Sequence, residues 1–356
     1  SAVGAPFAAL MPAGKSRDSR RLLSTVLGCC GAAVLLCILV PVLSSADALF
    51  AAATADLRRL IRSHFTTSLA ELLWALILTP FLFSLLYRLR RPLPSKALLP
   101  EKTVSADGTG FWILLAALDV LYFVFLLVQS AGLFGGPEYL SARGLSYAQW
   151  ARSGFFQMVG VTIVNLSVLL AAVTFSHRQG RGWTAVRLLS GVLIAESLVL
   201  LASAAWRMSL YVGAYGLSFK RLVTYWGMGM MAFFFLAALW KLLRTDRSFC
   251  RLAFPIALAG WVLLNCVPLD ALVARDQVDR VLSGETAVLD VEYLLEDLSY
   301  DTLPQLARLD GSRSVYTQEG KTTLEALLTQ RRSEARAECS DWRAWNLSAW
   351  RASTDS

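Results

Sequence analysis

The chain has 356 residues, of which 56% are apolar and only 17% charged, with a formal net charge of +8 and a mean hydropathy of +0.51. So few polar residues exclude a soluble globular protein. Apolar segments of roughly 18 to 24 residues recur along the chain, each long enough at ~1.5 Å per residue to cross ~30 Å of hydrocarbon. The expected fold is all-α: a polytopic membrane bundle of seven transmembrane helices, with a small extracytoplasmic all-α domain at the C-terminus.

In chain order, residues 1–21 form a cytoplasmic segment with Lys15, Arg17, Arg20 and Arg21 before the first span. The apolar run that follows is too long for a signal peptide and lacks a small-residue cleavage pattern, so further sequence upstream of Ser1 is expected. Residues 22–269 form the membrane domain, with uncharged spans at Leu22 to Leu43, Phe155 to Phe175, Leu222 to Leu239 and Leu252 to Leu269. Three further spans each carry one acid: Glu71 in Phe65 to Tyr87, Asp119 in Phe111 to Phe134, and Glu196 in Leu188 to Trp206.

Basic residues alternate in density between the spans. Sixteen fall on the side of the chain start and eight on the other, a bias that places the start in the cytoplasm and the tail outside. Residues before Asp270 carry +14 and the tail carries −6. The basic balance therefore belongs to loops beside anionic lipid, and the lack of stacking aromatics or a recognition helix excludes nucleic acid as a partner.

Between the first two spans, residues 46–62 set Leu49, Phe50, Ala53 and Leu57 on one stripe, with Asp47, Thr54 and Arg58 opposite. This is a helix either lying in the outer interface or packed onto the bundle. The tail, residues 270–356, reads as short helices. The first is Asp270 to Leu282, stopped at Ser283 and Gly284, and the second is Asp290 to Leu298. A third runs from Thr302 to Gly311 with Pro304 in its first turn, and a fourth opens with Thr322 and Glu325 in capping-box spacing. If Asp341 to Arg351 is helical, Trp342, Trp345 and Trp350 share a face, for burial or for docking on the outer headgroup layer.

The candidate functional residues are an intramembrane polar set: Glu71, Asp119, Asn165, Glu196, Arg152 and Arg207. An acid in hydrocarbon costs at least ~2.5 kcal/mol and marks function or helix-to-helix glue. No Lys or Arg lies inside a span, so the acids are expected to be protonated, water-exposed, or hydrogen-bonded to neutral groups such as Asn165, Gln129, Asn265, Tyr122 or Ser203. Arg207 shares the Glu196 face but lies ~16 Å along it. Arg152 and Arg207 could instead reach an acid on a neighbouring helix.

Other motifs fail. AGKS at Ala13 to Ser16 lacks the first glycine of a phosphate loop. Two histidines, His64 and His177, on opposite sides and without a CxxC give no metal site, and no cofactor is expected. Gly132 and Gly136 form a GxxxG at the end of the third span.

Three stretches resemble a bacterial membrane-protein family, domain of unknown function 4173. They are YLSARGLSYAQWARSGFFQMVGVTIVNL at Tyr139 to Leu166, YGLSFKRLVTYWGM at Tyr215 to Met228, and ALVARDQVDRVLSG with LDVEYLLEDLSYDTLP within Ala271 to Pro304. The resemblance implies a bacterial cytoplasmic membrane location and, in relatives, additional hydrophobic helices upstream; it implies no activity and transfers no catalytic residue. The functional expectation is a non-enzymatic membrane protein that anchors an external helical domain for contact with a membrane or extracytoplasmic protein, or with a signal. The alternatives are a proton- or cation-coupled transporter using the buried acids, and a lipid-linked transferase using Asp47.

Overall fold

The computed structural model describes residues 17–56, 59, 108–134, 155–176, 181–244, 249–286, 289–317 and 320–354. The predicted span Phe65 to Tyr87 with Glu71, the Arg152 segment, both histidines, Gly136 and most of residues 57–62 lie outside the described residues. Among those described, the helices are α1 (Arg17–Ala46), α2 (Ala48–Ala53), α3 (Thr109–Phe134), α4 (Phe155–Phe175), α5 (Arg181–Tyr215), α6 (Phe219–Leu243) and α7 (Phe249–Cys266). The series continues with α8 (Leu269–Leu282), α9 (Leu303–Leu306), α10 (Leu324–Ser340) and α11 (Leu347–Thr354). Six of them, α1 and α3 to α7, are long and apolar enough to cross a membrane. Large apolar side chains point away from the protein along these helices, among them Val120, Phe123, Leu188, Phe254 and Trp261. That is the surface a bilayer covers.

The chain divides into two compact units, one of residues 1–207 and 231–253, the other of residues 208–230 and 254–356. In the first, α1 and α3 are the most intimately packed pair. A Cβ on Gly28 would stand 2.6 Å from the Gly110 backbone, and one on Gly110 would stand 2.6 Å from the Ser24 carbonyl oxygen. Hydrocarbon tails are as apolar as leucine, so helices in a bilayer associate through such close backbone contact rather than through burial of apolar area. The Ser24 hydroxyl accepts the Gly110 N–H at 3.1 Å. Further along, Phe50 stacks edge-on against Phe125 with centroids 5.0 Å apart, so α1 and α3 run in the same direction.

Helix α2 is the packed cap, not an interfacial helix free of the bundle: Leu49 and Phe50 are buried. It opens at Asp47, whose carboxylate accepts the N–H groups of Leu49 and Phe50 at 2.9 and 3.1 Å. Two orphan amides of the helix start are satisfied in this way.

The second unit closes a soluble-type core of Val273, Val278, Leu294, Leu303, Leu306, Leu324 and Leu328. Each such side chain contributes roughly 1.5–3 kcal/mol by leaving water. Helix α8 stops at Ser283 and Gly284 as the sequence implies, with Gly284 at a φ of 80°. The other tail elements are shorter than expected. The second is a π turn at Tyr293–Asp297, and the third, a 3-10 turn at Tyr300–Thr302 followed by α9, ends at Leu306 rather than near Gly311.

A two-stranded antiparallel hairpin, β1 (Ser314–Thr317) and β2 (Gly320–Thr323), interrupts the helices, with Val315 opposite Thr322. Because β2 claims Thr322, the cap of α10 is Thr323, which accepts the Ala326 N–H. Asp341 to Arg351 is not one helix: α10 ends at Ser340 and α11 begins at Leu347. Trp342, Trp345 and Trp350 are consequently 81%, 52% and 48% exposed rather than buried.

Candidate functional site

Two polar constellations are buried in the first unit. One is built from α3, α4 and α5. Tyr122 donates its hydroxyl to Asn165 Oδ1 at 2.5 Å, and Asn165 Nδ2 donates to Ser197 Oγ at 3.0 Å. The chain links three helices through groups that are wholly buried. Asp119 lies one turn before Tyr122 on α3 and Glu196 stands beside Ser197 on α5, so the hydrogen-bonded chain joins the two helices that carry the acids. Both acids are over nine-tenths buried, and both oxygens of Asp119 and Oε2 of Glu196 have no hydrogen-bond partner among the described residues. The structure therefore brings together Asp119, Asn165 and Glu196 of the predicted set; Glu71 and Arg152 lie outside the described residues.

In the other constellation Arg207 reaches an acid from a neighbouring element, as the sequence allows, but a different acid from those of the predicted set. Its guanidinium donates to Asp47 Oδ2 at 2.5 Å, and the two side chains are 1% and 0% exposed. The reason is that α5 does not stop at Trp206 but continues to Tyr215, a run of 35 residues and about 52 Å, so Arg207 sits on a helix face rather than in a loop. Asp47 was assigned to the polar stripe of the short helix; it is instead the cap of α2 and the counter-ion of Arg207. Lys241 departs in the same way. Placed by the sequence in a basic loop, it lies on α6, nearly buried, and donates to Thr174 at 3.1 Å. Asn265 is no partner of the acids either, because it donates to the Trp261 carbonyl of its own helix.

Gln129 is buried beside Met158, its amide nitrogen 3.9 Å from the sulfur. In the second unit, a cleft of about 270 Å³ is lined by Leu217, Arg221, Gln277, Asp290 and Tyr293. Its Arg221 is engaged by the protein, donating to the carbonyls of Tyr215 and Gly216 and lying 4.3 Å above the Tyr211 ring.

A helix bundle of membrane-spanning length, with its polar groups turned inward, is the architecture of an integral membrane protein. Residues 1–309 match the family model described as domain of unknown function (DUF4153), and the chain belongs to that family. This corrects the resemblance, which named family 4173, while retaining a membrane-helix-rich protein of unknown-function type. Searches of the curated proteins and of the solved structures return no match.

Proposed function

We propose that the protein is a non-enzymatic component of a bacterial cytoplasmic membrane that holds a helical domain, residues 270–356, on the outer face for contact with a partner protein or a signal. The observation that carries this is the way the tail is fastened. Asp276 accepts the Leu217 N–H at 2.7 Å, Gln277 donates to the Leu217 carbonyl at 2.7 Å, and Arg280 donates to the carbonyls of Val212 and Gly213 at 3.3 and 3.0 Å. The link between α5 and α6 is thereby clamped onto α8, so the tail is built against the helix ends rather than tethered by a linker. Trp342, Trp345, Leu347 and Trp350 are exposed on the same unit, and such aromatics are enriched where proteins bind.

The cross-helix contacts fit alternating crossings. The ends of α4 and α6 meet at Thr174 and Lys241, and the starts of α1 and α3 meet at Gly28 and Gly110. A photoreactive residue at Trp345, activated in growing cells, is expected to give one discrete adduct with a membrane or extracytoplasmic protein, lost in Asp276→Ala. A diffuse or absent adduct would contradict a partner-contact role. A proton-coupled transporter is the second reading, favoured by the buried carboxyl groups of Asp119 and Glu196. The lipid-linked transferase loses its residue, because Asp47 is enclosed and bound to Arg207.

A further inference from the structure

We infer that Asp119 and Glu196, buried on the two helices joined by the Tyr122–Asn165–Ser197 chain, form a proton-binding site inside the membrane unit that holds at least one proton on its carboxyl groups. Two ionised carboxylates in a low-dielectric interior, with no cation beside them, are the costliest state available to the pair. Among the described residues no cation takes that place. Arg207 is bound to Asp47 and lies about 16 Å along α5 from Glu196, and Lys241 is directed to Thr174.

Among the described residues α1, α2 and α4 pack most extensively on α3, while Glu196 stands on α5, whose other charged residues are Arg181, Arg187 and Arg207. Helices α2 and α4 contain no charged residue, while α1 supplies Arg17, Asp18, Arg20 and Arg21 at its start and the thiols of Cys29, Cys30 and Cys37. A bound proton removes a charge from an acid whose oxygens have no hydrogen-bond donor among the described residues. A metal ion fits less well: no group of three or more His, Cys, Asp or Glu among the described residues could hold one.

Polar groups continue beyond the pair on α5. Ser203 lies two turns from Glu196 on the same face and one turn before Arg207, and its buried hydroxyl has no hydrogen-bond partner among the described residues. The site deepens the transporter reading, since proton coupling requires such a site, but binding does not by itself imply transport.

The test is carbodiimide labelling of the full chain in lipid nanodiscs, read by peptide mass spectrometry, because dicyclohexylcarbodiimide partitions into hydrocarbon and reacts with protonated carboxyl groups. Labelling at neutral pH is expected on Asp119 or Glu196 and to fall as pH rises, with exposed Glu285 unlabelled. Asp119→Asn is expected to reduce labelling of Glu196 by about tenfold, and Glu196→Gln to do the same at Asp119, because the partner charge that retained the proton is gone. No label on either acid, or label on one that ignores loss of the other, would overturn the site; if a variant does not fold, the pH course of the wild-type label decides. Labelling as expected with no proton flux in proteoliposomes supports the site and contradicts transport.

Discussion

Arg207 and Asp47 are each almost wholly removed from solvent, and a charge so placed is expensive once its partner is taken away. Arg207→Ala should lower stability by roughly 3–5 kcal/mol, seen as an earlier thermal transition in detergent, whereas Arg207→Met combined with Asp47→Asn, which keeps an oxygen to cap α2 but no charge, should recover most of the loss. A double variant no better than the single one would show that the cost is not an orphaned charge. Sequence periodicity could not find this pair, because its partners are 160 positions apart and one of them looks like an ordinary cap residue.

Tyr300 is a different case, outside the membrane. Burial, and a 2.8 Å bond to the Glu338 carboxylate, push its hydroxyl up to about 12. A hydroxyl that keeps its proton longer in the folded state than in the unfolded chain adds stability that is complete below about pH 10 and disappears as pH climbs toward 12. Thermal unfolding of the second unit should therefore weaken across that window. Tyr300→Phe should flatten the window and cost about 1–2 kcal/mol at neutral pH.

At the scale of elements, the crossing of α1 and α3 is set by two glycines rather than by a GxxxG. Gly28→Ala should force the helices apart and cost roughly 1–3 kcal/mol of the kind seen in overpacked cores, while Gly160→Ala, with open space beside it, should be neutral in the same melting assay. Equal melting temperatures would mean that the contact relaxes freely. The spans at α3, α4, α6 and α7 were legible because a stretch of some 20 apolar residues has few other folded uses. The end of α5 was not legible: nothing in its composition separates a helix that stops at the bilayer surface from one that continues beyond it. In the tail, helix-period reading missed the hairpin, although Val315, Tyr316 and Thr317 are residues that favour strands. It left open one helix over Asp341 to Arg351, which would set three tryptophans on a face, where the chain instead turns between Ser340 and Leu347. The acid site was legible in part, since an acid in hydrocarbon must turn inward, as Asp119 and Glu196 do; that Tyr122, Asn165 and Ser197 link the helices carrying them is a matter of packing, which one sequence does not contain.

For the whole molecule, the excess of basic residues on the side of the chain start is what supports the proposal that the helical domain lies outside. Asp276→Ala should loosen the clamp on Leu217 and raise amide exchange at the start of α6 without altering the apolar spans. Protection unchanged from wild type would mean that Gln277 and Arg280 suffice. Native Cys339 is half-buried against the core of the second unit and is a poor reporter of topology. The most direct measurement is therefore labelling of Gln330→Cys, on the exposed side of α10, with a membrane-impermeant maleimide in a chain whose native cysteines are replaced by serine or alanine. Modification in intact cells, equal to that after permeabilisation, is the result the account predicts; modification only after permeabilisation would place the domain in the cytoplasm and contradict it.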